Sequence, residues 1–166
     1  MNSEKLNRIR ILFICLGNIC RSPAAHAVMQ QKVEEAGLSH LFMIDSAGIG
    51  PWHVGQLPDN RMRKHGARRG YQVDHIARQF DPAFDFDAFD YIVVMDEENY
   101  SNLTRRARNA AEKAKVVKMA DYFTKHKNAT SVPDPYYGGE EGFDLALDLI
   151  EDGCEGLIKT IAAPTL

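Results

Sequence analysis

Four short apolar segments separate the longer amphipathic stretches of the sequence, at residues 11–14, 41–44, 91–95 and 116–117. The first three are continuous rather than alternating, which is typical of parallel strands that are buried on both faces. The fourth lies between Lys115 and Lys118, as expected of an edge strand. The pattern therefore predicts four short strands.

The stretches between these strands have helical spacing. Ser22 and Pro23 suit the N-cap and the first position of a helix, and Gly37 follows its last apolar residue. A second, basic helix is predicted over residues 58–69, where glycine again marks the end. Its Lys and Arg side chains are interpreted as a solvated helix face, with a steering patch for acidic phosphopeptides as the alternative.

Two further helices are predicted in the second half of the chain. One begins after Asp96, which is interpreted as its N-cap, and runs to about residue 114. The other, over residues 143–161, has the clearest helical spacing of apolar side chains. Gly153 and Gly156 weaken this last pattern locally, because glycine lowers helix propensity.

Strands that alternate with helices predict an α/β fold: one small, doubly wound sheet of four parallel strands with helices on both faces. Ligands of such sheets bind at the carboxyl ends of the strands. Polar side chains follow three of the predicted strands, at Cys15, Ser46 and Asp96. No repeat, low-complexity tract or linker divides the chain, so we expect residues 1–166 to form a single domain.

Composition and charge narrow the class of protein. The 166 residues are 45% hydrophobic and carry 20 basic and 23 acidic side chains, for a net charge of −3. A balance so close to neutral argues against a nucleic-acid partner. No signal-peptide core or membrane-length apolar stretch is present, and three cysteines do not form a framework of paired bridges. We therefore expect a cytoplasmic protein without a membrane partner.

The segment after the first strand reads Cys15-Leu16-Gly17-Asn18-Ile19-Cys20-Arg21-Ser22-Pro23. A tight loop that enters a helix turns successive backbone N–H groups toward one point and binds anions there. Gly17 permits the unusual backbone angles that such a loop demands, and Arg21 can hold two oxygens of one phosphate. Cys15 lies beside Arg21 at the positive end of the helix, which favours its thiolate form. We therefore expect a phosphate-binding loop with a nucleophile beneath it.

Phosphoryl transfer to sulfur also needs a proton donor for the departing oxygen. The best candidate is Asp134, at the start of the segment Asp134-Pro135-Tyr136-Tyr137-Gly138-Gly139. Proline and two glycines indicate a shaped loop, and the two tyrosines could flank a flat aromatic substrate. Only the fold can bring this loop to Cys15.

These motifs together resemble those of the low-molecular-weight protein tyrosine phosphatases. The resemblance covers residues 8–160 approximately and follows the family's order. Its further motifs are Asp45-Ser46, Trp52, Pro58-Asp59, His75-Ile76-Ala77-Arg78-Gln79, Phe89-Asp90-Tyr91 and Met95-Asp96-Glu97. It implies hydrolysis of phosphotyrosine and small aryl phosphates through a cysteinyl-phosphate intermediate.

The resemblance also implies the catalytic residues. Cys15 would be the nucleophile, Arg21 would bind the phosphate and stabilise the transition state, and Asp134 would protonate the leaving phenolate and then activate water. The loop backbone that would bind the phosphate comprises Leu16, Gly17, Asn18, Ile19, Cys20 and Arg21. No metal and no organic cofactor is implied.

Other side chains would support these groups. Ser22 would hydrogen-bond the thiolate, and Asn18, Ser46 and His75 would hold the loop in shape. A deep pocket that suits phosphotyrosine better than phosphoserine would have as its walls Trp52, Tyr136 and Tyr137. His26 stands where the family commonly has a glutamate, and we expect this to affect the pH optimum more than the activity.

Several points stay open. Cys20 is either a packed thiol or the partner of Cys15 in a reversible disulfide. Cys154 falls on the apolar stripe of the last helix and is expected in the core. The histidines other than His75, which is interpreted as structural, show no paired spacing of metal ligands.

Two alternatives to the phosphatase remain. A thiol-dependent arsenate reductase of the same fold needs resolving cysteines on a mobile segment, and residues 70–95 contain none. A non-catalytic phosphotyrosine-binding module would be expected to lack the nucleophile or the acid, yet Cys15, Arg21 and Asp134 are all present.

Overall fold

The computed structural model describes residues 8–162, and a parallel sheet forms the centre of this part of the chain. Its strands are β1 (Ile9–Cys15), β2 (Phe42–Gly48), β3 (Tyr91–Val94) and β4 (Val116–Lys118). The described strands are all parallel and have the order β2-β1-β3-β4. β1 is therefore central, and its last residue, Cys15, is paired with Gly48. The predicted fold class is confirmed.

Helices cover both faces of the sheet. Over residues 8–162 they are α1 (Arg21–Glu35), α2 (Asn60–Arg68), α3 (Pro82–Ala88), α4 (Glu97–Arg106), α5 (Ala110–Lys115) and α6 (Glu140–Ala162), with short 3-10 turns at Ser39–Leu41, Met119–Tyr122 and Pro135–Tyr137. β1 alternates between the two faces. Ile11 and Phe13 pack in the cluster that contains α1 and α6, while Leu12 and Ile14 pack with Phe86 and Leu103 on the other side.

The helices differ from the prediction in two ways: one predicted helix is divided, and one short helix is additional. The single helix expected after Asp96 is divided, because Ala107 is extended (ψ 135°) and the Asn109 side chain accepts the N–H of Glu112 as a new N-cap. The short α3 was not predicted. Seven residues are too few to show an apolar period, and one buried position of α3 is the charged Asp85.

The two glycines of α6 have a packing role that the sequence does not reveal. A Cβ atom on Gly156 would lie 1.8 Å from the carbonyl oxygen of Tyr122, and one on Gly153 would lie 2.2 Å from the sulfur of Met119. The 3-10 turn Met119–Tyr122 therefore rests directly on the helix backbone. Close approach explains why residues of low helix propensity occur in the longest helix described.

None of the helices within residues 8–162 is long and apolar enough to cross a membrane. The expectation that residues 1–166 form a single domain stays a prediction.

Candidate active site

The candidate site is built on the turn that joins β1 to α1. Cys15 is the last residue of β1, and Arg21 is the first residue of α1. The carbonyl oxygens of Cys15 and Leu16 accept hydrogen bonds from the N–H groups of Ile49 and Gly50, at 3.0 and 2.9 Å. N–H and C=O point to opposite sides of a trans peptide. The N–H groups that follow these carbonyls therefore point to the other side of the turn, where an anion can bind at the start of the helix.

Glycines allow this turn to pack closely. A Cβ atom on Gly48 would lie 2.8 Å from the carbonyl carbon of Gly17 and 2.9 Å from the nitrogen of Asn18. A Cβ atom on Gly17 would lie 3.0 Å from Cδ2 of His53. The unusual backbone angle predicted at Gly17 occurs at Asn18 instead, where φ is 59°, so that prediction is wrong. A larger residue at position 17 would have to displace the ring of His53.

Asn18 is fully buried, and its side chain holds the turn in shape through hydrogen bonds. Its Nδ2 donates to the hydroxyl oxygens of Ser22 and Ser46, at 2.8 and 3.1 Å. Its Oδ1 accepts the N–H of Arg78 at 3.0 Å. Asparagine tolerates the left-handed conformation better than most residues, so one side chain satisfies both the backbone and three hydrogen bonds.

The sulfur of Cys15 lies against the first turn of α1. The hydroxyl of Ser22 is 3.0 Å from Sγ, and the Ser22 N–H donates to Sγ at 3.4 Å. Ser22 is therefore not the N-cap that the sequence predicts. The N-cap is Cys20, and the Ser22 hydroxyl is engaged by Asn18 and Cys15 instead.

Arg21 is buried, with 2% of its surface exposed, and is held by two acidic residues. Nη1 donates to Oδ2 of Asp96 at 2.6 Å and to the carbonyl oxygen of Val132 at 3.1 Å, and Nη2 lies 3.5 Å from Oδ2 of Asp134. Burial alone would lower the pKa of Arg21, but the negative charge of Cys15 and the hydrogen bond to Asp96 raise it. Nε is shielded from solvent and has no partner among the described residues. That N–H is available to an oxyanion.

The loop that carries Asp134 precedes α6. Oδ1 of Asp134 accepts the N–H of Tyr136 at 3.0 Å and caps the 3-10 turn Pro135–Tyr137. Arg61 of α2 donates to the Tyr136 carbonyl at 3.1 Å, and its guanidinium lies 4.7 Å from the ring centre of Phe143. Arg61 thus holds the loop in place and is not part of a purely solvated helix face.

A cavity of about 300 Å³ opens above the turn. Most of the predicted binding residues line it, together with His53: Cys15, Leu16, Gly17, Ile19, Cys20, Arg21, Trp52, His53, Asp134, Tyr136 and Tyr137. The predicted residues Asn18 and Ser22 lie behind the loop. Trp52 and Tyr137 are 63% and 85% exposed, so they form a rim of apolar surface that a ligand can cover.

Ser46 and His75 are placed differently from one another. Ser46 lies inside β2, not after it, and its hydroxyl accepts directly from Asn18. His75 is further from the loop. Its Nε2 is 3.7 Å from Oδ1 of Asp45, and its ring centre is 5.0 Å from that of His26, whose Nδ1 is 3.4 Å from the Ser46 hydroxyl.

The three thiols are free. Cys20 lines the cavity but is buried, and burial, followed by the nearby charges of Asp59 and Cys15, raises its pKa. Cys154 is fully buried on α6, as predicted, and burial raises its pKa as well. Both groups therefore stay protonated at neutral pH, which makes them poor nucleophiles.

Sequence reasoning missed two residues of the site. The sequence places Asp96 at the ligand-binding edge of the sheet but assigns it no role beyond an N-cap, whereas it both caps α4 and binds Arg21. His53 has no predicted role, because it is counted only among the histidines without the paired spacing of metal ligands, whereas it lines the cavity beside Trp52. The position of Asp96 at the end of a parallel strand was the available signal.

A cysteine thiol, a buried arginine and a carboxylate around an anion-binding turn define a site for nucleophilic chemistry on phosphorus. The family model described as low molecular weight phosphotyrosine protein phosphatase matches residues 10–165. A low molecular weight protein-tyrosine-phosphatase of Streptomyces coelicolor is 42% identical over 153 residues, which are 92% of this chain and 93% of that protein. The corresponding phosphatase of Schizosaccharomyces pombe is 42% identical over 155 residues, or 93% and 97%.

Solved structures agree with these relatives. A protein tyrosine phosphatase from Entamoeba histolytica, with Hepes in its active site, superposes with a TM-score of 0.90 at 49% identity and covers 95% of this chain and 99% of its own. A Drosophila arginine phosphatase superposes with a TM-score of 0.84 at 31% identity, over 92% and 98%. The chain belongs to the low molecular weight phosphotyrosine protein phosphatase family.

Proposed function

We propose that Cys15, Arg21 and Asp134 hydrolyse phosphotyrosine and small aryl phosphates through a cysteinyl-phosphate intermediate. The observation that carries this proposal is the convergence of the three side chains on one cavity. A nucleophile, an oxyanion holder and a proton donor are the groups that phosphoryl transfer to sulfur requires.

In the first step, the thiolate of Cys15 attacks phosphorus, the S–P bond forms and the bond from phosphorus to the tyrosine oxygen breaks. The N–H groups of the loop and the Nε and Nη2 side of Arg21 hold the non-bridging oxygens. Asp134 gives its proton to the departing phenolate. The N–H of Ser22 donates to Sγ, and the Ser22 hydroxyl lies 3.0 Å from it, so both contacts orient the sulfur for attack.

In the second step, water attacks the phosphorus of the cysteinyl phosphate. Asp134, now a carboxylate, accepts a proton from this water, the S–P bond breaks and inorganic phosphate leaves. The thiolate of Cys15 is regenerated, and the contacts from Ser22 favour it as a leaving group. The cycle is balanced by one water and needs no further reactant.

The walls of the cavity support an aryl substrate. Trp52, Tyr136 and Tyr137 present aromatic surface above the loop, and aromatic rings pack well against one another. A phosphotyrosine ring would fill this space, whereas the short side chain of phosphoserine would leave it to water. The substrate is therefore a phosphotyrosine-bearing protein or a small aryl phosphate.

The full burial of Cys154 argues against an arsenate reductase, because a resolving cysteine has to become accessible to Cys15. Cys20 lines the cavity, but burial raises its pKa, which makes it a poor resolving nucleophile. The complete set of nucleophile, arginine and acid argues against a binding module. We also propose a cytoplasmic location, because three free thiols suit a reducing compartment.

The test is hydrolysis of para-nitrophenyl phosphate and of phosphotyrosine and phosphoarginine peptides by the protein and its Cys15→Ser variant. We expect activity on the aryl substrates, reduced in Cys15→Ser by about four orders of magnitude or more, while vanadate binding persists. Acid-quenched Asp134→Ala protein should carry one phosphoryl group on Cys15 by mass spectrometry. Cys154→Ser, the same exchange away from the cavity, is the control.

Three results would contradict the proposal. They are substantial turnover by Cys15→Ser, phosphoryl label on another residue, and faster hydrolysis of phosphoarginine than of phosphotyrosine. The last would leave the mechanism intact and overturn only the substrate.

A further inference from the structure

A second cluster of titratable groups lies behind the loop, outside the catalytic cavity. His26 comes from α1, Asp45 from β2 and His75 from the segment before α3. One ligand atom of each, a ring nitrogen or a carboxylate oxygen, lies within 4.8 Å of the other two. The three are far apart in sequence, which is why their spacing gave no sign of a metal site.

We propose that His26, Asp45 and His75 form a binding site for a divalent transition metal, with Zn²⁺ as the best fit. Two imidazoles and one carboxylate are a usual set of three protein ligands for zinc, and water completes the tetrahedron. Ligand atoms around tetrahedral zinc are about 3.3 Å apart. Side-chain rotations that shorten the largest separations by about 1.5 Å would therefore bring the cluster to coordination distance.

The environment of His75 supports this site independently. Its Nε2 is shielded from solvent and has no hydrogen-bond partner among the described residues, which is costly for a buried polar atom. A metal would satisfy its lone pair. Burial lowers the pKa of His75, and burial together with the neighbouring ring lowers that of His26 to about 4. A lower pKa favours the neutral form of an imidazole, which is the form that binds metals.

The carboxylate of Asp45 already accepts hydrogen bonds and can still bind a metal. Arg78 donates to Oδ2 of Asp45 at 3.0 and 3.2 Å. Within residues 8–162, Oδ1 accepts one hydrogen bond, from the N–H of Ser46 at 2.8 Å, and lies 3.7 Å from Nε2 of His75. A carboxylate oxygen has two lone pairs, so Oδ1 can bind a metal as well. The guanidinium of Arg78 opposes a cation here, and the carboxylate of Asp74 favours one.

The site has an entry path. A cleft of about 220 Å³ leads to it and is lined by residues that include His26, Gln30, Glu34, Gln72, Asp74 and His75. Glu34 and Asp74 give this cleft two carboxylates, and none of the six residues is a lysine or an arginine. The cleft therefore attracts cations. This cleft and the catalytic cavity share no lining residue.

The experiment measures Zn²⁺ affinity by competition with a chromophoric chelator, in a Cys15→Ser background that removes the catalytic thiolate. We expect one equivalent of zinc, bound at least about tenfold more weakly after His75→Asn or His26→Gln. His26→Glu, which puts a carboxylate ligand in place of the lost imidazole, should bind zinc more tightly than His26→Gln does. His40→Asn, the same exchange at an exposed histidine, should change nothing. The variants are first compared by circular dichroism.

Cobalt gives a second readout. Bound Co²⁺ should show the visible spectrum of a tetrahedral nitrogen and oxygen site, without a sulfur-to-metal charge-transfer band. Zinc affinity that is unchanged in both His75→Asn and His26→Gln would overturn the proposal. So would zinc binding that disappears when Cys15 is replaced, because the metal would then belong to the catalytic cavity.

Discussion

Asp96 binds Arg21 and caps α4 with the two oxygens of one carboxylate. Oδ2 accepts Nη1 of Arg21 at 2.6 Å, and Oδ1 accepts the N–H of Asn99 at 2.8 Å. The guanidinium is thereby fixed at the carboxyl end of β3, with its remaining edge directed to the cavity. Catalytic geometry and helix capping depend on the same side chain.

We expect Asp96→Asn to destabilise the free protein by about 3 kcal/mol, because a buried guanidinium loses a charged partner. A bound oxyanion supplies a new counter-charge to Arg21. The loss in melting temperature should therefore be smaller in the presence of phosphate or vanadate than in their absence. Asp121→Asn, at an exposed position, is the control. Equal losses with and without oxyanion would show that Asp96 does not act through Arg21.

Replacement of Asp134 should affect substrates unequally. We expect Asp134→Ala to slow the hydrolysis of phenyl phosphate by about a thousandfold, and that of para-nitrophenyl phosphate much less, because only the poorer leaving group needs a proton. The measurement is a series of aryl phosphates with leaving groups of increasing pKa. An equal loss across this series would exclude Asp134 as the acid.

Gly156→Ala should destabilise the protein although alanine is the better helix former. The gain in helix propensity is about 1 kcal/mol, but the new Cβ would overlap the Tyr122 carbonyl. We expect a net loss of about 3 kcal/mol in the free energy of unfolding by urea. Gly142→Ala in the same helix has only ordinary contacts, the nearest 3.6 Å away, and should be neutral or slightly stabilising. Similar effects of the two substitutions would contradict the packing of α6.

Because of Asp152, the free energy of unfolding should vary with pH in the acidic range. This buried carboxylate of α6 accepts N–H groups from Thr124, Lys125 and His126. Burial would raise its pKa, but the backbone and side-chain hydrogen bonds from Thr124 and His126 lower it well below the usual value. Its contribution to stability is therefore complete above the unfolded pKa of about 3.9 and is lost as the pH falls toward the folded one.

Accordingly, Asp152→Asn should lower the free energy of unfolding at pH 7 by about 2 kcal/mol. The difference between the variant and the parent should shrink below pH 4. Urea titrations across this range provide the measurement. Asp148→Asn, which removes an exposed partner of Arg69, should cost well under 1 kcal/mol. A difference that stays constant down to pH 2 would contradict the role of the charge.

The sequence predicts the sheet and the catalytic loop because both are local patterns. Strands buried on two faces leave continuous apolar runs, and Cys15 and Arg21 lie within one turn. Asp134 is indicated by its carboxyl group, which can donate a proton, and by the proline, tyrosines and glycines that follow it. The short α3 could not be found, because Asp85 is buried by virtue of its ion pair with Arg78, a partner outside the helix.

Contacts between distant segments account for the other errors. Ser22 has the residue type of an N-cap, but its hydroxyl donates to the Ala47 carbonyl of β2 at 3.4 Å and accepts from Asn18, which also bonds Ser46 and Arg78. The sequence predicts the left-handed angle at Gly17, whereas Asn18 adopts it, because the contacts of Gly48 and His53 with the turn are not visible in the sequence. Such contacts arise only when β2 and the following loop are in place.

The hydrogen bonds by which Asn18 holds the turn in shape have a consequence for inhibition by the product. The hydrogen bonds that shape the turn are made by the protein with itself, so the loop is already organised before an anion arrives, and binding costs little conformational entropy. Free inorganic phosphate benefits from this preorganisation as much as the phosphoryl end of a substrate does. The enzyme should therefore be inhibited by its own product, and preference for a tyrosine substrate has to come from the exposed rings of Trp52 and Tyr137.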